Sequence, residues 1–146
     1  MNLGKELKFT QVKTAVAAGT TDINSDIIDM ANWDGVLFIT SFGTITAGAV
    51  TSVLIQQDTD SAGGTMTALL GSGQAVADTD DDKCVIHDLY KPLERYVRAT
   101  VDRGTQNAVI NSIVAVQYRG SKTPATNDSA TVVALKTLVS PAEGAA

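Results

Sequence analysis

Aromatic residues make up only 5% of this 146-residue sequence, although 44% of its residues are hydrophobic. Large aromatic side chains supply much of the buried area in many cores, so this core must be built from many small aliphatic contacts. We expect such a domain to gain stability from neighbouring molecules. The chain is about one domain long and can bury one core of its own.

Cysteine and histidine are almost absent, with Cys84 and His87 the single representatives of each type. One cysteine excludes an internal disulfide, and one Cys with one His leaves too few ligands for a structural zinc site. Residues alternate faces along a strand, so these two side chains should point to opposite sides and not form a nucleophile–base pair. We therefore expect no enzyme and no cofactor.

Positive charge is also scarce, since 11 Lys and Arg residues face 16 Asp and Glu residues, for a net charge of −5. Nucleic-acid binding relies on Lys and Arg to neutralise phosphates, so this balance disfavours a nucleic-acid partner. No apolar run approaches the roughly 20 residues of a membrane helix. No apolar signal core follows residues 1–5, so we expect synthesis in the cytoplasm without export by that route.

The sequence does contain a series of short segments rich in Thr, Val and Ile, separated by turn residues. Seven or eight short strands without a long amphipathic helix predict an all-β domain over residues 1–120, a β-sandwich that is jelly-roll-like. The segment 36–42 is almost continuously apolar and is predicted to be covered on both faces. Strands are predicted over 7–16, 27–30, 36–42, 50–57, 84–90, 96–102 and 109–119, and a helical turn over 66–70.

Residues 121–146 differ from the rest, because small and polar residues dominate and the main apolar run contains Val132, Val133 and Leu135. This segment cannot bury enough surface by itself to offset its ordering entropy. It is predicted to be an extended C-terminal arm that is either disordered or ordered against a partner. The apolar run favours the second outcome, because it could add a strand or fill a groove.

The acidic segment 78–82 is the one candidate for a metal site. A calcium loop of the EF-hand type needs Gly at its sixth position and Glu at its twelfth, where this sequence has Lys83 and Leu89. The pattern favours a solvated acidic turn. Its Asp80 and Asp82 are also candidates for contact with cations on another copy.

A basic corner formed by Lys91, Arg95, Arg98 and Arg103 follows the turn at Pro92. Tyr96 and Arg98 should share one face of a strand, and both residue types are enriched at the energetic centres of interfaces. The corner is either such an interface or an exposed face whose cations aid solubility. In the first case, Asp80 or Asp82 of a second copy would be a complementary partner.

Four stretches of the sequence are distinctive when taken together: Trp33–Phe38, Ser41–Thr44, Asp88–Arg98 and Val139–Gly144. With them the chain resembles the small β-rich proteins encoded beside the major capsid proteins of tailed bacteriophages. The resemblance implies a capsid decoration (cement) protein, a structural jelly-roll-like virion subunit that is commonly trimeric. Such a subunit would bind the major capsid protein on the capsid exterior and stabilise the head.

Two other functions stay open. A head–tail connector or tail component would form rings of six or twelve copies. A carbohydrate-binding head fibre would need exposed aromatic residues on one face, whereas Trp33 precedes a strand that is predicted to be buried.

Overall fold

The computed structural model of the chain describes residues 2–138, 142 and 143. Within these residues one short helix precedes ten strands, and none of the helical residues forms a segment long and apolar enough to cross a membrane. The elements are α1 (Leu3–Glu6), β1 (Lys8–Lys13), β2 (Ile23–Asn24), β3 (Ile28–Asp29), β4 (Trp33–Ile45), β5 (Thr51–Asp58), β6 (Thr67–Ala68), β7 (Gln74–Val76), β8 (Cys84–Tyr90), β9 (Tyr96–Arg103) and β10 (Ala108–Gly120).

The strands form two antiparallel sheets. Sheet A has the order β1-β10-β4-β8, and sheet B has the order β2-β9-β5-β6, with β3 also on β9 and β7 also on β5. Strands β2 and β3 pair with successive parts of β9, and β6 and β7 pair with separate parts of β5, so each couple acts as one interrupted strand. Two four-stranded sheets with this crossing order form a jelly roll. The predicted all-β, jelly-roll-like sandwich is confirmed.

One hydrophobic core lies between the sheets. Sheet A contributes Val36, Phe38 and Phe42 from β4, and sheet B contributes Val97 and Val101 from β9. Phe38 and Phe42 are the largest of the fully buried side chains, and the others are mainly Ile and Val. The core therefore consists of many small aliphatic contacts around two phenylalanine rings.

The predicted helical turn over residues 66–70 is wrong. Thr67 and Ala68 form β6 and pair with Gln57 and Gln56 of β5. The Leu69 N–H also donates to the carbonyl of Ile55 over 2.9 Å. These backbone bonds to β5 fix an extended conformation that the local sequence does not encode.

Arg103 does not belong to the exposed basic corner. It is the last residue of β9, eight positions after Arg95, and its side chain points inward with those of Val97 and Val101. The guanidinium Nη1 donates to the carbonyls of Ala17 and Ala108. The alternation of strand side chains explains why Arg103 points inward, because the odd-numbered positions of β9 face the core.

Candidate interaction surfaces: a sheet face, an open edge and the C-terminal arm

The outer face of sheet A, which points away from the core, is mainly apolar around β4, with the acidic Asp88 of β8 beside Leu37. Strand β4 alternates between residues buried in the core and half-buried residues on this outer face. The register aligns the outward positions of neighbouring strands into rows, so their side chains form one continuous surface. We use the name "outer face" for the surface that is formed by Leu37, Ile39, Ile86, Val114 and Val116.

One end of the outer face carries two tyrosines on either side of a glycine. Tyr118 of β10 and Tyr90 of β8 both lie opposite Gly35 of β4. Their rings are nearly parallel, at 5°, with centroids 6.5 Å apart. A Cβ atom at Gly35 would collide with the Tyr118 ring, so this ring lies over the space that glycine leaves free.

The Tyr118 hydroxyl donates a 2.6 Å hydrogen bond to Oδ1 of Asp88. Burial of the phenol, with this hydrogen bond and the Asp88 charge, raises the pKa of Tyr118 to about 12. Two cations, Lys91 and Arg119, lie 5.4 and 5.8 Å from the Tyr90 ring centroid. An adjoining groove of about 490 Å³ is lined by Leu7, Leu37, Val116, Tyr118 and other residues.

The first part of the arm lies along the free edge of β1. Strand β1 pairs with β10 on one side only, which leaves its other backbone groups facing outward. The N–H of Phe9 donates to Oδ1 of Asn127 over 2.7 Å, and the N–H of Gln11 donates to Oγ1 of Thr131 over 3.3 Å. The arm thus covers this edge with side-chain acceptors rather than with a further strand.

The predicted interface residues of the arm lie just beyond this contact. Residues 121–138 contain no helix or strand. Val132 is half-buried, whereas Val133 is fully exposed and Leu135 is 44% exposed. Leu138 is 62% exposed. Leu135 lies beside Gly4 of α1, so Val133 and Leu138 are the more exposed apolar residues of the run.

The predicted interface residues Arg95, Tyr96 and Arg98 lie together at the start of β9. Arg95 makes a bidentate ion pair with Asp29, at 2.7 Å for each bond, and its guanidinium lies 5.2 Å from the Tyr96 ring centroid. The hydrogen bond from Arg95 lowers the pKa of Asp29 below its ordinary value. The Arg98 side chain donates from Nε to Oε1 of Gln56. Within this chain, both arginines therefore already have polar partners.

The acidic segment 78–82 forms a turn whose carboxylates bind the protein itself. Oδ1 of Asp81 accepts from the N–H of Ile45 over 2.6 Å, and Oδ2 of Asp78 accepts from the N–H of Gly48 over 2.7 Å. Asp80 pairs with Lys83 at 2.7 Å, and this hydrogen bond lowers the pKa of Asp80. Across the described residues there is no group of three or more His, Cys, Asp or Glu side chains arranged to hold a metal ion.

Asp80 and Asp82 lie at the opposite end of the sandwich from Arg95. The acidic turn precedes Cys84, which pairs with Ser41 near the end of β4. Arg95 lies beside Asp29 and Met30, just before β4 begins. Contact between these predicted residues therefore requires a second copy.

Cys84 and His87 lie on opposite faces of β8, where exposed and half-buried residues alternate. The thiol of Cys84 is exposed on the outer side. Nε2 of His87 lies 2.7 Å from the carbonyl of Ser72, on the inner side. The alternation predicted from the spacing is thus present.

The outer face was not predicted as a candidate site, although the sequence contains a signal for it. The continuous apolar run over residues 36–42 indicated a strand covered on both faces. In the structure the core covers one of these faces, while Leu37 and Ile39 on the other are half-buried.

No protein-family model matches this chain, and neither does any curated protein. A chain from the structure of Bacillus endospore appendages, described as a novel family of disulfide-linked pili, is similar to it. The TM-score is 0.48 and the identity 13%, over 83% of this chain and 95% of that chain. A chain from the structure of infectious bursal disease virus Gt strain is also similar, with a TM-score of 0.46 and 12% identity. That likeness covers 82% of this chain and 33% of the viral chain.

Proposed function

We propose that this protein is a capsid decoration (cement) protein that binds the major capsid protein on the outside of a bacteriophage head. The observation that carries the proposal is the outer face of sheet A. Leu37 and Ile39 lie on the outer side of β4, and the opposite side of the same strand is buried in the core. A soluble domain normally places polar residues on a solvated sheet face, so an apolar one marks a contact surface.

Other features support the same role. The domain is small and its core is poor in aromatic rings, so partners that bind only the folded form would stabilise it by mass action. The arm offers Val133 and Leu138 as further apolar contacts. The stretches quoted above resemble phage decoration proteins, which implies a trimer made in the bacterial cytoplasm and placed on the capsid exterior. A closed ring of copies would use the same faces around one axis.

The test mixes the purified protein with expanded, undecorated heads of the phage that encodes it. Binding is measured as copies per shell after sedimentation of the shells. We expect saturable binding at a fixed ratio, and a solution mass about three times 15.2 kDa by light scattering. Failure to bind the shells at any concentration would contradict the proposal.

A variant pair separates the outer face from general surface chemistry. Ile39→Lys places a charge at the centre of the outer face, and we expect it to weaken shell binding at least tenfold. Leu70→Lys introduces the same charge at a fully exposed position in the turn between β6 and β7, where we expect no change. Urea unfolding of both variants shows whether each is folded. Equal binding by two folded variants would exclude the outer face as the contact.

A further inference from the structure

We infer that β8 is an acceptor edge, onto which residues 132–138 of a second copy of this chain add as an extended strand. The contact would link the arm of one copy to sheet A of the next. This inference concerns copies of the protein in solution, and it holds or fails independently of capsid binding.

The backbone of β8 has one free side. The N–H of Phe42 donates to the carbonyl of Lys83, and the N–H of Lys91 donates to the carbonyl of Asp34. In an antiparallel pair such bonded positions recur every second residue. The N–H and C=O groups of Cys84, Ile86, Asp88 and Tyr90 therefore point away from β4. Within the part of the chain that the structure describes, no strand pairs with β8 on that side.

The two edge strands of sheet A differ in what covers their outward backbone groups. At β1, the side chains of Asn127 and Thr131 accept the outward N–H groups of Phe9 and Gln11. Among residues 2–138, 142 and 143, no such cover lies on the free edge of β8, although an open edge is a template for pairing with another chain.

A cleft adjoins the free edge of β8, between this strand and β7. It has a volume of about 330 Å³, and its lining combines Phe42, Val76 and Val85 with the ion-paired Asp80 and Lys83 at one end. A strand added to β8 would direct alternate side chains toward this cleft. Added strands gain affinity from backbone hydrogen bonds and specificity from the side chains that fill such spaces.

The segment 132–138 has a suitable pattern, Val-Val-Ala-Leu-Lys-Thr-Leu. One alternate set, Val133, Leu135 and Thr137, carries no charge and suits the cleft. The other set contains Lys136 and would face outward. The segment matches the seven residues of β8 in length.

Charge complementarity selects a register. Asp88 is the acidic residue on the outward side of β8, between Ile86 and Tyr90. If Lys136 lies beside Asp88, then Ala134 and Leu138 lie beside Ile86 and Tyr90, whichever way the added strand runs. One register therefore pairs the opposite charges and places apolar residues next to apolar residues.

The test uses the full-length chain and two measurements. The first is the mass in solution as a function of concentration. Ile86→Lys on the edge and the double change Val133→Asp with Leu135→Asp in the arm should each weaken association at least tenfold. Val50→Lys, at a 66% exposed position in the turn before β5, is the matched control and should associate like the original chain.

The second measurement is hydrogen exchange at the Ile86 and Asp88 amides, which should slow at least tenfold on association and stay fast in the arm variant. Lys136→Asp should weaken association about two- to fivefold, because it replaces the opposite charge beside Asp88 with a like one.

A monomer at all concentrations, or assemblies in which these amides still exchange fast, would overturn the inference. Protected amides in assemblies that do not respond to the arm variant would also overturn it, because β8 would then pair with something else. Shell binding that depends on Ile39 while the unbound chain stays monomeric would support the capsid proposal and contradict this inference.

Discussion

Nη1 of Arg103 donates a 2.8 Å hydrogen bond to the carbonyl oxygen of Ala108, across the turn that joins β9 to β10. The same nitrogen donates to the carbonyl of Ala17, and Nε donates to that of Thr21 over 2.7 Å. One buried cation therefore holds together the turn after β9 and the segment that leads into β2. Burial lowers the pKa of this guanidinium below its ordinary value.

Arg103→Ala should destabilise the fold by about 2 kcal/mol, because one buried and two part-buried carbonyl groups would lose a charged donor. Arg103→Lys should recover only part of this loss, since an ammonium group cannot reproduce the planar fork of donors. The free energy of unfolding in urea checks both values. The matched control is Arg119→Ala, whose side chain is 67% exposed and should matter little. An equal effect of the two alanine variants would contradict the assigned role.

Tyr118→Phe should cost about 0.5–1.5 kcal/mol at neutral pH, because the hydrogen bond to Asp88 is lost. The pKa of Tyr118 is raised to about 12 in the folded chain, against about 10 for an unperturbed tyrosine. The stabilisation from this phenol is therefore complete below pH 10 and lost as the pH rises toward 12. Tyrosine absorbance should show one late titration that Tyr118→Phe removes. The absence of a late titration that depends on Tyr118 would contradict the assigned environment.

Gly35→Ala should destabilise the chain by about 1–3 kcal/mol, because the added methyl group collides with the Tyr118 ring. The displaced ring should also lose its contact with Asp88, so the pKa of Tyr118 should fall toward 10. Gly64→Ala is the control, since its Cβ would meet no atom within 4 Å. Urea unfolding and absorbance titration measure the two effects. A Tyr118 pKa that is unchanged in Gly35→Ala would contradict this account.

Removal of residues 121–146 should leave the jelly roll folded but less stable by about 1–2 kcal/mol. The amides of Phe9 and Gln11 would exchange their acceptors in the arm for water. Circular dichroism and urea unfolding check the fold, and shell sedimentation should show weaker attachment. If the shortened chain does not fold, the arm belongs to the domain itself.

Most of the architecture could be predicted because its strands are long enough to show a pattern. The run 84–90 matches β8 residue for residue, and the apolar run at 36–42 lies inside the longer β4. Strands β2, β6 and β7 have two or three residues each, and no period can be read from so few positions. They form because β5 and β9 provide hydrogen-bond partners for their backbone groups. These are tertiary contacts, which the local sequence does not specify.

The candidate surfaces were harder to predict than the fold. Arg95, Tyr96 and Arg98 are close in sequence, so their proximity on β9 followed from strand spacing. The outer face depends on register between β4, β8 and β10, which local sequence does not specify. The role of the acidic turn also depends on distant groups, because Oδ1 of Asp81 accepts a hydrogen bond from the N–H of Ile45, 36 positions away.

Strand β10 lies between β1 and β4 in sheet A, although it is the last strand in the described part of the chain. Neither β1 nor β4 has its main partner until residues 108–120 have been made. Strand pairing between residues about a hundred positions apart is also slow, because closing the intervening loop costs conformational entropy. Sheet A can therefore be completed only after residues 108–120 have been made, and until then the unpaired edges of β1 and β4 are exposed to aggregation.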